Sequence, residues 1–229
     1  CRPEAVIALL AATRTEAHYL LKTMRSVKSD GIYHFRGTLA GKQAALFLTR
    51  PGVHSREQVR RFLRLHRYDA IISCGSCASL TAELAHLQSV VIGSVVTPGE
   101  KWITIAAAGR KCVSVSHLIA DDASKALLRE TSGADILDME TYTLARIAAE
   151  HEFSAIPFYA VRVVDDLAGE EDYLKKEQML REMTAGKPSG RPSWRDIVRL
   201  GIWDYAVIIW RRHRVRSEER RVGKECSLP

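Results

Sequence analysis

Nothing in these 229 residues reaches the ~20 consecutive apolar positions that a bilayer-spanning helix requires. No basic segment followed by an apolar core opens the chain, so a secretory leader is not expected and a cytoplasmic protein is. The chain starts on Cys1 rather than methionine, so a truncated start is expected. Cysteine is sparse. Setting aside Cys1 and Cys226 near the ends leaves Cys74, Cys77 and Cys112, an odd number without framework spacing, which fits a reducing compartment. Internal repeats and low-complexity tracts are missing as well.

What is present has the balance of a soluble globular enzyme, with 46% hydrophobic and 27% charged residues. The length suits one α/β domain with a large core, or two small domains. A net charge of +7 raises the question of nucleic acid. Part of it lies in the tail RSEERRVGKEC, Arg216–Cys226, which resembles the in-frame translation of a common sequencing adapter. Residues 216–229 are therefore expected to be a processing scar. The remaining cluster, Arg56, Arg60, Arg61, Arg64 and Arg67, falls on an amphipathic helix and reads as a solvated face. No aromatic-interleaved basic groove accompanies it, so a nucleic-acid partner is not expected.

Hydrophobic patterning predicts strands at Ala5–Ala12, Ile32–Gly37, Gln43–Thr49, Asp69–Cys74, Leu87–Val96, Ile103–Ala107, Cys112–Ser116, Asp135–Leu137 and Phe158–Val164. Helices are predicted at Thr15–Met24, Ser55–His66, Asp122–Thr131, Glu140–His151 and 194–212. This alternation predicts a single α/β domain with a mixed, mainly parallel central sheet and helices on both faces. Ligands of such sheets sit beyond the carboxyl ends of the strands, where Glu16, Thr49, Gly75, Ser76, Glu140 and Asp166 are expected to converge. The stretch Leu200–Trp210 is too short to span a membrane and is interrupted by Asp204. It reads as a helix docked on the sheet, or as an interfacial surface for an apolar or lipid-linked substrate.

Two strings carry chemistry. DMET, Asp138–Thr141, sets Glu140 where a strand hands over to a helix; VRVVDD, Val161–Asp166, threads Arg162 through an apolar strand. A charge in a buried strand costs several kcal/mol unless a partner compensates it, so an anionic partner is expected for Arg162. SCGSC, Ser73–Cys77, has Cys-x-x-Cys spacing, but zinc or redox chemistry needs a second ligand pair or an exposed helix N-terminus. Cys112 and the scattered histidines supply no such pair. The string reads as a small-residue loop whose N–H groups and Ser76 hydroxyl can approach an anion or a hydroxyl-rich ligand, or as a plain tight turn.

The stretch ADILDMETYTLARIAAEHEFSAIPFYAVRVVDD resembles the signature region of the purine nucleoside phosphorylase and methylthioadenosine/adenosylhomocysteine nucleosidase family. Upstream, AVIALLAATRTEAHYLL, TRPGVH and DAIISCGSCASL match the family in order. ASKALLRETSGADILDMET is similar to the hopanoid-associated members, which act on an adenosyl group attached to a hopane. The resemblance implies a single nucleoside phosphorylase-like domain over 1–215 and cleavage of a purine N-glycosidic bond by water or phosphate. It implies that Glu140 grips the ribose hydroxyls, Met139 packs on the sugar, Gly75 and Ser76 line the pocket, and Asp166 protonates the departing base. Glu16 matches the residue that activates water in the nucleosidases, while Arg14, Arg50 and Arg162 are the candidate phosphate cations, with the site carboxylates as alternative partners of the substrate-binding Arg162. The resemblance implies no metal or organic cofactor, inorganic phosphate as co-substrate of the phosphorylase branch, and a homo-oligomer.

Departures from the family pattern support an alternative, a non-catalytic nucleoside-binding relative. Ala78–Ser79 replaces a Gly-Gly pair, Val96–Lys111 is far shorter than its counterpart, and Ser116–Ile119 lacks an aromatic to stack on adenine. Asp165 replaces a serine. It is expected either to raise the proton affinity of Asp166 or to act as an ordinary N-cap.

Overall fold

The computed structural model describes residues 6–117, 119 and 121–168; the segments 194–212 and 216–229 lie outside them. The apolar run near the start forms β1 (Val6–Ala11), followed by α1 (His18–Leu21), β2 (Met24–Ser29), β3 (Ile32–Leu39) and β4 (Lys42–Leu48). Then come α2 (Arg56–Arg64), β5 (Tyr68–Ser79), β6 (Ser89–Val96), β7 (Ile103–Thr104) and β8 (Arg110–Ser114). α3 (Asp122–Ser132), β9 (Ile136–Asp138), α4 (Thr141–Ala148) and β10 (Phe158–Asp166) complete the described chain.

β5 organises the sheet. Its first half pairs with β1 in parallel, and residues 71–78 pair with β10 in parallel on the other side. Where β1 ends, β9 takes over the vacated edge at Ala78 and Ser79. Because β9 pairs with β8, β8 with β6, and β6 with β10, these five strands close into a barrel-like ring. β1, β4, β3 and β2 extend from β5 as an open wing.

The sheet is mixed, as expected, but parallel pairings do not dominate it: β1–β4, β1–β5, β5–β10, β6–β8 and β8–β9 are parallel, and an equal number of pairings are antiparallel. Ring closure and the β2–β3–β4 meander impose the antiparallel half. Helix cover over the two faces of the wing is uneven among the described residues. α2 and α4 pack Val59, Phe62, Leu63, Leu144 and Ile147 against Ala8, Leu10 and Phe47 on one face. On the other face, Leu9, Ala11 and Leu46 meet Leu20 and Leu21 of the four-residue α1, with Met24 and Phe35 from strands.

Local chemistry explains the helix ends. Ser55 caps α2 by accepting from the Gln58 N–H, and Asp121 caps α3 by accepting from the Ser124 N–H. α3 stops at Gly133, which adopts the left-handed conformation. The basic cluster on α2 lies at the surface, as expected, where Arg60 chelates Glu150 at 2.7 Å and Arg64 holds Glu152 at 2.7 Å. The shortened segment after β6 folds back on it, with β7 pairing Ile103 to Val95. No helix among the described residues is long and apolar enough to cross a membrane.

Candidate active site

β5 does not stop at Cys74. It runs through Gly75 and Ser76, which lie opposite Arg162 and Val163 of β10, so the expected loop is a strand. Cys74 and Cys77 consequently fall three apart on a strand, where side chains alternate between faces. Cys74 packs with Leu9 and Leu46, Cys77 with Ile92 and Cys112. Burial pushes the Cys74 thiol up to about 11 and holds Cys77 and Cys112 higher still, so none is poised as a thiolate. No three His, Cys, Asp or Glu side chains are grouped to hold a metal among the described residues.

Glu16, just beyond β1, reaches across to this strand. Its Oε1 accepts from the Ser76 N–H at 3.0 Å and from the Ser76 hydroxyl at 3.2 Å. Its Oε2 accepts from the Thr13 N–H at 2.9 Å and from the Thr13 hydroxyl at 3.1 Å. A Cβ on Gly75 would stand 2.8 Å from Glu16 Oε1, so the bare backbone there is what lets the carboxylate in. Gly75→Ala is expected to push Glu16 off Ser76 and lower turnover at least about tenfold. The melting temperature should hardly move, since the contact is with a side-chain tip. Unchanged turnover would remove Glu16's seat from the mechanism.

Glu140 stands between β9 and α4, as its position in the motif predicts, and is 8% exposed. Its Oε1 accepts from the Gly52 N–H at 3.0 Å, where Gly52 at φ +72° turns its amide inward. Burial and then the neighbouring Asp138 charge push the Glu140 carboxyl up to about 7, against the opposing pull of the Gly52 N–H and Arg162. Glu16 and Glu140 wall one small crevice together with Ala12, Thr49, Ser73 and Arg162. Met139 lies half-buried next to Gly52 and shares an apolar cluster with Ile119 and Val115.

Beneath Glu140 lies a network that the sequence reading missed. Arg162 is 1% exposed, and its anion is internal: Nε and Nη2 reach Asp138 Oδ2 at 2.9 and 2.8 Å. Its remaining donors go to the Ser73 carbonyl and hydroxyl, the Val161 carbonyl and the Thr141 hydroxyl. Asp138 also accepts from the Thr141 N–H and hydroxyl and from the Ser114 hydroxyl. Of the partners expected for Arg162, phosphate or a site carboxylate, an internal carboxylate fills the place, and it is Asp138 of DMET. The other candidate cations do not gather at Ser76 either. Arg14 lies exposed over the Phe35 ring at 5.4 Å, and Arg50 is exposed at φ +65°.

Asp166 is the last residue of β10 and sits three positions beyond Val163, about 10 Å further along the strand. Its neighbour is a cation. Lys125, only 2% exposed, donates to Asp166 Oδ1 at 2.9 Å and lies 2.8 Å from Oδ2. Asp165 caps no described helix. It occupies a register shift on the opposite, exposed side of β10, 3.9 Å from His86.

This wing-and-ring topology is the nucleoside phosphorylase-like fold. Residues 106–186 match the family model described as the Phosphorylase superfamily, and no curated protein matches the chain. Among solved structures, the chain is similar to the futalosine hydrolase of Helicobacter pylori at 15% identity and TM-score 0.61, covering 72% of this chain and 89% of that one. The 5′-methylthioadenosine/S-adenosylhomocysteine nucleosidase of Campylobacter jejuni aligns at 17% identity and TM-score 0.61, covering 73% and 88%. A putative nucleosidase of that kind from Borrelia burgdorferi, solved bound to adenine, aligns at 14% and 0.62, covering 72% and 88%. At these identities the likeness is one of fold.

Proposed function

We propose that the protein hydrolyses the N-glycosidic bond of an adenine nucleoside carrying a substituent at the 5′ position. The observation that carries the reading is the Glu16 carboxylate seated on the Ser76 N–H and hydroxyl, beside Glu140. An incoming phosphate has to displace that carboxylate, and Arg162 has its donors engaged within the protein. A neutral water that hydrogen-bonds to Glu16 needs no such displacement. The Ser76 and Thr13 hydroxyls rotate, so an attacking water that takes the place of one of them on Glu16 meets a lone pair that can receive its proton.

The groups then divide the charge that bond cleavage creates. Water oxygen bonds to the anomeric carbon and gives its proton to Glu16. The electron pair of the breaking carbon–nitrogen bond flows into the purine, which takes a proton from Asp166. Ionised Glu140 holds the ribose hydroxyls and faces the positive charge growing on the sugar, an electrostatic contribution made before reaction begins. Met139 packs on the sugar. Asp166, about 10 Å beyond the Ser76 level along β10, meets the base end.

The test is chromatographic adenine release from adenosine, methylthioadenosine and adenosylhopane, with and without phosphate. Release without phosphate, unaccelerated by its addition, is expected. Release only with phosphate selects phosphorolysis. Failure to release adenine while the nucleosides raise the melting temperature selects a binding-only protein.

A further inference from the structure

The Lys125–Asp166 pair raises a question about the general acid. For hydrolysis as proposed above, Asp166 must deliver a proton, yet both of its oxygens lie within 2.9 Å of an ammonium. Lys125 comes from the first turn of α3, a helix whose other described residues are not buried. Its ammonium reaches the end of β10 and also donates to the Leu167 carbonyl at 3.5 Å. A buried ammonium is costly unless paired, and such a pair is weak evidence of a purely stabilising role. Beside Lys125 lies a cavity of about 460 Å³, walled also by Leu80, Asp122, Arg129 and Glu130. Lys125 lines this cavity and Asp166 does not, so the lysine stands between the acid and the open space.

We infer that Lys125 is a positioning residue that reloads Asp166: the proton that reaches the departing base starts on Lys125 Nζ. This rests on the hydrolytic reading. As the glycosidic electron pair moves into the purine, a Lys125 N–H bond breaks and a proton passes to the Asp166 carboxylate. The carboxyl passes a proton to the ring nitrogen. Lys125 is left as a neutral amine and regains a proton from water in the cavity. Glu16 returns to solvent the proton taken from the attacking water, so charge balances over the cycle.

The test uses the full chain with methylthioadenosine and follows adenine release. Lys125→Ala, checked for folding by circular dichroism, is expected to slow release on the order of 10²-fold. Methylammonium chloride is expected to restore much of the rate through the cavity, and tetramethylammonium chloride, a cation with no proton to give, is not. Lys125→Arg should also be slow, because a guanidinium keeps the ion pair and does not give up its proton. Should the alanine variant fail to fold, the arginine variant decides. Wild-type rates in either variant, equal rescue by both cations, or no rescue by methylammonium overturns the relay while leaving the nucleosidase reading in place. A wild-type protein that releases no adenine removes that reading, and the relay with it.

Discussion

Replacing Glu140 by glutamine is expected to slow adenine release at least tenfold, about 1.4 kcal/mol of barrier, and to stabilise the fold at neutral pH. Both effects come from one carboxylate held where ionisation is unfavourable. The folded protein keeps the Glu140 proton up to about pH 7, whereas an unperturbed glutamate loses it near 4.5. Between those values the folded state binds more protons than the unfolded one, so stability falls as pH rises through that window. The full span corresponds to about 3 kcal/mol, reached above pH 7 and absent below pH 4.5. Glutamine retains an oxygen for the Gly52 N–H and carries no charge. The melting temperature of Glu140→Gln should therefore match the wild type at pH 4 and exceed it by several degrees at pH 8. A gap independent of pH rules out ionisation as the cause. On the wild type, kcat/KM should climb through about pH 7 as Glu140 ionises, since the charge is what favours the developing sugar cation. The site thus gives up stability to gain function.

Arg162→Met should be the most damaging single change to stability, at about 3–5 kcal/mol. On a chain of this length that lowers the melting temperature by on the order of 10 °C. The loss is not that of one contact. Asp138, whose side chain is fully buried, keeps its hydroxyl and amide donors but loses its counter-charge, and the Ser73 carbonyl and hydroxyl lose their donors. Lysine is not an adequate substitute, because a single ammonium cannot reach Asp138, Ser73 and Thr141 together. The change is also expected at the site. Arg162 opposes the upward push on Glu140, so its removal should move the acid limb of the kcat/KM profile to higher pH. Urea unfolding and the pH profile measure the two consequences separately. A stability loss below about 1 kcal/mol would show that Asp138 is not held as a buried charge.

Much of this arrangement was legible in the residues themselves. The helix expected at Ser55–His66 forms as α2, with Val59, Phe62 and Leu63 buried as its spacing requires. The DMET handover and the Arg162 strand are where their patterns put them. What escaped depended on partners distant in sequence. Met24–Ser29 has little apolar patterning and becomes β2 by pairing along β3, so the helix expected at Thr15–Met24 shrinks to α1. Gly75 and Ser76 read as a loop because small residues end strands, yet β10 holds them in the sheet. Lys125 gave only a faint signal, a lysine three positions before Leu128 on a helix stripe facing inward. Its partner lies 41 residues away.

The ring of strands has a consequence for how this molecule opens. A terminal strand in an open sheet can peel away alone, but β10 is gripped by β5 on one side and β6 on the other. Freeing it breaks the circuit that also runs through β8 and β9, the strand that leads into Glu140. The Asp166 strand and the Glu140 turn should then exchange their amide hydrogens as one cooperative unit, with opening energies near that of the whole fold. The two ends of the candidate site would be lost together rather than one after the other.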